Sequence, residues 1–328
     1  MKEIKNYPEI QYLNALKKIL ISGEKVCNRT GVDSLRIRSV SMRYDLSKSF
    51  PLLTTKRIWF KGVVTELIWM LRGDTNIKFL VDNDVNIWND DAWRWHKKTN
   101  NYRDTKFDTQ KDFIEFIKNE DPYKYIPSVG DLGPCYGKQW RCWQGVSNHI
   151  PSTPIPKEPI DQIKKVISGI KSDPYSRRNM ITAWNPAEID DVALPACHYS
   201  CIFSVSEKKL NCGVTLRSND AFLGSPFNIA QYALLNHFIA LWTDLDVGDL
   251  DYWAYDFHLY ENHIDAAREQ IKRKPRLLPY LKIRKAFTLE DLEKITDVRV
   301  FINEHLNLMD YNPYPTIKAP LSVGLKNQ

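Results

Sequence analysis

The sequence predicts a mixed α/β (α+β) domain in which strands and helices form layers around one core. Three observations carry this expectation. Apolar residues recur at helical spacing over 11–21, 62–71 and 229–241, and strand-like runs occupy 35–44, 180–184, 199–205 and 210–217. The two patterns interleave along the chain instead of segregating. The 328 residues are 43% hydrophobic and 12% aromatic, enough for a substantial core and too apolar for a disordered chain.

Residues 11–21 read as an amphipathic helix. Leu35-Arg36-Ile37-Arg38-Ser39-Val40, continued by Met42-Arg43-Tyr44, alternates like a half-buried strand. Residues 62–71 form a strongly apolar helix with one acid, Glu66, among Val63, Val64, Leu67, Ile68 and Met70. From 90 to 128 Trp, Lys, Asn, Asp and Tyr crowd together with little periodicity outside a short helix at 112–117, so about 91–129 is expected to be an inserted surface lobe. Pro151, Pro154, Pro156 and Pro159 make an extended connector before a helix at 160–172. No repeat or low-complexity tract interrupts the chain, which reads as a single domain over 1–328.

Composition narrows the function. Lys and Arg number 46 against 40 acids, a formal charge of +6 spread without a basic block, so an anionic small molecule fits and nucleic acid is not indicated. Neither a signal-like start nor a run near the roughly 20 apolar residues of a membrane span is present in the sequence, and a soluble protein of the cytoplasm is expected. Six cysteines without paired CxxC spacing fit neither a disulfide framework nor a zinc site; most should be reduced, buried fillers, and no metal is expected.

Four segments could carry chemistry. Pro195-Ala196-Cys197-His198 sets a thiol beside an imidazole, either a nucleophile able to add to an electron-poor double bond or a buried cysteine followed by a surface histidine. The run from Leu216 through Arg217, Ser218, Asn219 and Asp220 to Gly224 and Pro226-Phe227-Asn228 reads as a polar turn before a helix. In it Arg217 is half of a surface ion pair or, with Ser218, a phosphate holder, and Asn228 is a helix N-cap or a reader of a planar amide-like edge. Asp173-Pro174-Tyr175-Ser176-Arg177-Arg178 puts a basic pair on a turn. Asp256-Phe257-His258-Leu259-Tyr260 sets His258 and Tyr260 on one side of a strand, within reach of a sugar hydroxyl.

To these add Asn28-Arg29-Thr30-Gly31, Phe50-Pro51-Leu52-Leu53-Thr54-Thr55-Lys56-Arg57, Glu66-Leu67-Ile68-Trp69, Gly73-Asp74-Thr75-Asn76, Ile87-Trp88 and Gly133-Pro134-Cys135-Tyr136-Gly137-Lys138-Gln139-Trp140-Arg141. In this order the segments resemble the thymidylate synthase family of folate-dependent pyrimidine C5-transferases, nearly end to end. The resemblance implies the family's fold, a mixed sheet layered with helices and paired sheet to sheet in a homodimer. It implies that Arg29, Arg217 and Ser218 bind the phosphate of dUMP, with Arg177 and Arg178 reaching in from the other subunit. His258 and Tyr260 then hold the 3′-hydroxyl, and Asn228 reads uracil, where relatives acting on cytosine carry Asp.

By the same carry-over Cys197 adds to C6 of uracil, and C5 takes a one-carbon unit from 5,10-methylenetetrahydrofolate. Lys56, Ile87, Trp88, Leu194, Asp220, Gly224 and Phe227 are the implied folate-binding residues. Glu66, Tyr136 and His198 would arrange the water that moves protons.

Departures bear on the product. Leu216 stands where synthases have Gln, Thr215 where they have Tyr, Ile202 where they have Gln, Asn89 where an acid is usual, and Tyr255 where they have Gly. The string Leu216-Arg217-Ser218-Asn219-Asp220 is similar to that of phage deoxycytidylate hydroxymethylases, and Gly324-Leu325-Lys326-Asn327-Gln328 extends past the synthase terminus. The expectation is therefore a hydroxymethylase of the phage DNA-modification kind, giving 5-hydroxymethyl-dUMP and tetrahydrofolate. The alternative is a thymidylate synthase giving dTMP and dihydrofolate. An inactive relative binding nucleotide or RNA is a third reading, opposed by the intact Cys197, Glu66, Tyr136, Asn228 and arginines.

Overall fold

The computed structural model describes residues 8–28, 31–99, 107–126, 128–147 and 155–321. The chain divides into two compact units, one of Met1–Val63, Cys197–Ala286 and Ile302–Gln328, the other of Val64–Ala196 and Phe287–Phe301. Strands and helices mix in both.

Helix α1 (Ile10–Ser22) buries Tyr12, Ala15, Leu16 and Ile19, the stripe its periodicity predicts. The carboxylate of fully buried Glu9 precedes it and accepts from the backbone N–H and hydroxyl of both Thr54 and Thr55, which gives the Thr-Thr pair a structural task. After β1 (Glu24–Val26), the expected strand is a longer one, β2 (Ser34–Asp45). Helix α2 (Phe60–Leu71) carries the chain into the second unit.

There α3 (Lys78–Asp82) precedes the expected lobe, α4 (Asn89–Thr99) is a helix in it that the sequence does not suggest, and α5 (Gln110–Asn119) is a longer version of the helix expected at 112–117. Helix α4 lacks an apolar stripe but carries Asp90 and Asp91 in its first turn and Lys97 and Lys98 in its last, charges that suit the helix dipole. The lobe also has a core of its own: the rings of His96 and Phe113 lie 4.9 Å apart, those of Phe107 and Phe113 5.7 Å.

Helix α6 (Tyr136–Arg141) follows Gly133, whose φ of +79° is left-handed and where a Cβ would stand 2.0 Å from the carbonyl oxygen of Asp191. Strands β3 (Trp143–Ser147) and β4 (Ile155–Ile160) pair antiparallel, so the described part of the proline connector is a strand of a two-stranded ribbon. Pro151 and Pro154 lie outside the described residues. Helix α7 (Gln162–Ser172) starts two residues late because Asp161 caps it, accepting from Lys164 N–H at 2.9 Å. Strand β5 (Met180–Thr182) ends the run before the chain returns to the first unit.

Strands β6 (His198–Ser206) and β7 (Lys209–Asp220) are followed by α8 (Gly224–Thr243), β8 (Asp246–Tyr260) and α9 (Ile264–Lys272). The strands of this unit run in the order β1-β2-β8-β7-β6, with β7 and β8 parallel and the other pairs antiparallel. Helix α8 is buried on nearly every side and packs on β7 and β8, forming the centre of the core. Strand β9 (Tyr280–Ile283), helices α10 (Leu289–Glu293) and α11 (Val298–His305), and β10 (Leu306–Met309) complete the elements, with β9 and β10 paired. Among the described residues no helix is long and apolar enough to cross a membrane.

Candidate active site

In the first unit the candidate residues gather at one end of the sheet. Arg217 N–H donates to the carbonyl oxygen of Cys197 at 2.9 Å, fixing Cys197 just ahead of β6. The Arg217 guanidinium comes within 3.8 Å of Cys197 Sγ, where its charge favours negative charge on sulfur. The parallel register of β7 and β8 sets Ser218 beside Asp256 and Asp220 beside His258. This corrects the polar turn read from the sequence, since residues 217–220 belong to the strand.

His258 Nδ1 lies 2.9 Å from Asp256 Oδ1, while Arg36 holds the other oxygen at 3.3 Å. Burial opposes the charge on Asp256, yet these two partners keep its carboxyl below the usual range. The ring of Tyr260 stands edge-on to that of His258 at 5.1 Å.

His198 is not a surface residue. It is buried, its Nδ1 sits 2.8 Å from the Tyr232 hydroxyl, and burial pushes its pKa down to about 3, so it is neutral at neutral pH. Cys135, Cys201 and Cys212 are buried free thiols as expected of fillers, whereas Cys27 is exposed and Cys142 and Cys197 are half-buried.

Asn228 is not an N-cap either, because α8 begins four residues earlier. Asp220 turns the chain there: its Oδ1 accepts from Phe222 N–H at 2.8 Å and Leu223 N–H at 3.1 Å, and Pro226 falls in the first helical turn, where it is tolerated. Asn228 Oδ1 instead accepts from Asn219 Nδ2 at 3.0 Å, and Asn219 Oδ1 accepts from the Tyr252 hydroxyl at 2.7 Å. Asn219 lies in the Leu216–Asp220 string, where sequence alone assigns it no role, and Tyr252 carries no sequence signal. A Cβ at Gly224 would lie 3.4 Å from Asp220 Cβ and 3.6 Å from Asn228 Oδ1, so the glycine borders both groups.

Lys56 is buried. Only 4% exposed, its Nζ donates to the Phe222 carbonyl oxygen and sits over the Phe222 ring, and burial pulls its pKa down to about 7 against the opposing pull of Asp220. It lines a cavity of about 550 Å³ with Arg57, Trp59, Lys61, Leu223 and Phe227. Exposed Arg57 and half-buried Lys61 are that cavity's more accessible cations, a pair sequence reasoning missed.

The second unit holds Glu66, Ile87, Trp88, Tyr136, Arg177, Arg178 and Leu194. Trp88 Nε1 donates to Glu66 Oε1 at 2.8 Å, and the Trp88 ring stands edge-on to Tyr136 at 6.2 Å. Ile87 and Leu194 are half-buried, and Arg177 and Arg178 are exposed on the turn after α7. Arg29 lies outside the described residues.

Of the departures, Leu216 is fully buried and paired in register with His198, and buried Asn89 Oδ1 has no partner among the described residues. Ile202 and Tyr255 are exposed. The tail over 310–321 is pinned by Tyr314 N–H to Thr54, by Arg273 to Pro315, and by Pro320 O at 2.6 Å from His263 Nε2. The extension 324–328 lies outside the described residues. Among the described residues no cluster of His, Cys, Asp or Glu is arranged to hold a metal ion.

Comparison with known proteins adds a family. The family model described as thymidylate synthase matches residues 10–323. The chain is similar to a thymidylate synthase of Mycoplasma pneumoniae, 39% identical over 313 residues, and to one of Listeria monocytogenes, 41% identical over 333 aligned positions; each match covers 95% of this chain and 99% of the relative.

Proposed function

The chain belongs to the thymidylate synthase family of folate-dependent one-carbon transferases, and from that premise we propose that it methylates dUMP to dTMP. The carrying observation is the convergence of Cys197, Arg217, Ser218, Asp220, Asn228, His258 and Tyr260 at one end of one sheet. The names of the two relatives favour the methyl product over the hydroxymethyl product read from the departures.

In this reading Arg217 and Ser218, with Arg29, hold the phosphate dianion by charge-assisted hydrogen bonds. His258, kept in place by Asp256, and Tyr260 take the 3′-hydroxyl. The Cys197 thiolate adds its electron pair to C6 of uracil, and the C5–C6 π electrons move toward C5 and O4 as an enolate. Neutral His198 cannot act as a cationic acid at neutral pH; Glu66 and Tyr136 are proposed to order the water that carries the proton.

The folate fits the residues present. The cavity beside Phe227 offers aromatic walls and the cations Arg57 and Lys61 to an aromatic, anionic molecule; the family resemblance adds Ile87, Trp88, Leu194, Asp220 and Gly224 as proposed folate contacts. 5,10-Methylenetetrahydrofolate supplies the one-carbon unit and the hydride. Exposed Ile202 and Tyr255 on the sheet suit pairing of two subunits, in which Arg177 and Arg178 serve the partner's phosphate site.

The test is the mass of the nucleotide product formed from dUMP and 5,10-methylenetetrahydrofolate, with dihydrofolate followed in parallel. A methyl product with equimolar dihydrofolate is expected. A hydroxymethyl product without dihydrofolate would overturn the synthase reading in favour of the hydroxymethylase read from the departures at Leu216 and Asn89. No product from dUMP or dCMP would leave the binding-protein reading.

A further inference from the structure

A side-chain amide can read uracil or cytosine, depending on which way round it stands. With Oδ1 toward N3 and Nδ2 toward position 4, it complements the N3–H donor and O4 acceptor of uracil; turned by 180°, it complements the N3 acceptor and 4-amino donor of cytosine. An asparagine therefore discriminates only if something prevents the turn. Here Asn219, 3% exposed, presents Nδ2 to Asn228 Oδ1 at 3.0 Å, and fully buried Tyr252 donates to Asn219 Oδ1 at 2.7 Å. Turning Asn228 alone would oppose two N–H groups, and turning Asn219 with it would take from the buried Tyr252 hydroxyl hydrogen the acceptor it now has.

Resting on the dUMP reading above, we infer that Asn219, oriented by Tyr252, is a specificity-determining positioning residue that locks the Asn228 amide in its uracil-reading orientation. Asn219 touches no substrate; it acts through Asn228. The remaining lone pair of Oδ1 and the Nδ2 group of Asn228 are left for the base.

The test compares wild type, Asn219→Asp and Tyr252→Phe by kcat/KM for dUMP and dCMP and by calorimetric Kd for each nucleotide. Asp at 219 offers only acceptors, so it draws Asn228 Nδ2 toward itself and turns the amide. The dUMP-to-dCMP preference is expected to fall by about tenfold or more, as for one mismatched buried hydrogen bond, through tighter dCMP binding as well as weaker dUMP binding. Tyr252→Phe keeps the ring and should lower the ratio less, and it stands in if the aspartate variant fails to fold. A merely structural Asn219 would weaken both nucleotides equally, so folded variants with the wild-type ratio overturn the lock. Wild type that binds neither nucleotide would instead overturn the dUMP reading itself, and the lock with it.

Discussion

The indole nitrogen of Trp88 donates to Glu66 Oε1 at 2.8 Å, between side chains no more than 9% exposed. One bond thus ties an aromatic face proposed for the folate to an acid proposed for proton movement. Trp88→Phe keeps an aromatic face and deletes the donor. We expect kcat to fall about 10- to 100-fold, the scale of a disturbed general acid or base, with dUMP affinity unchanged. Steady-state kinetics with both substrates checks it, and an unchanged kcat would separate the pair from the chemistry.

Cys197→Ser removes the soft nucleophile and leaves Arg217 and Ser218 in place. Turnover should drop by more than about a thousandfold while dUMP binding stays within about threefold. Equilibrium dialysis beside an activity assay reads both; retained turnover would remove the nucleophile from Cys197.

Stability should depend on two buried imidazoles. Burial pushes His198 down to about 3 and His237 down to about 4, whereas an unfolded histidine titrates near 6.5. Both folded values lie below the unfolded one. Their contribution is therefore complete above about pH 6.5 and is lost as pH falls toward 4, by about 1.4 kcal/mol per unit for each group. Urea midpoints should fall between pH 7 and pH 5. His237→Phe, whose ring would keep the contact with Phe50, should flatten that slope by about half.

Lys56 gives a test of opposite design. Its folded value near 7 lies below the unfolded value near 10.4, so the fold holds this group without penalty only above about pH 10. Lys56→Met keeps the apolar stem, and at pH 7 should raise stability by about 1–3 kcal/mol after loss of the hydrogen bond to Phe222 is discounted. The gain should shrink toward pH 10; a gain independent of pH would refute burial as its cause.

What could be read from sequence was whatever depends on local period. The stripe of Tyr12, Ala15, Leu16 and Ile19 and the alternation around Ile37 and Met42 each repeat one burial environment every turn or every second residue, so β2 and α1 were foreseen. Helix α4 was not, because terminal charges and aromatic packing within the lobe support it, with no stripe to read. Asn228 reads from sequence as a cap or as a base reader; it is no cap because Asp220, eight residues earlier, already turns the chain. Cys197, Arg217 and His258 were identified by motif. Asn219 and Tyr252 meet only through strand register, which no local window contains, whereas Asp256 stands two residues from His258 on one strand.

The register of β2 also sets the order of events at the ribosome. Val40 faces Ala254, so β2 and the strand beside it are 214 residues apart in the chain. While the intervening segment is translated, β2 emerges with the edge meant for β8 unsatisfied, and the central sheet cannot close until three quarters of the protein exists. Such high contact order slows folding and leaves a hydrogen-bonding edge open to other nascent chains. The strand arrangement that gathers the candidate residues at the sheet's end thereby delays closure of the sheet until β8 has been made.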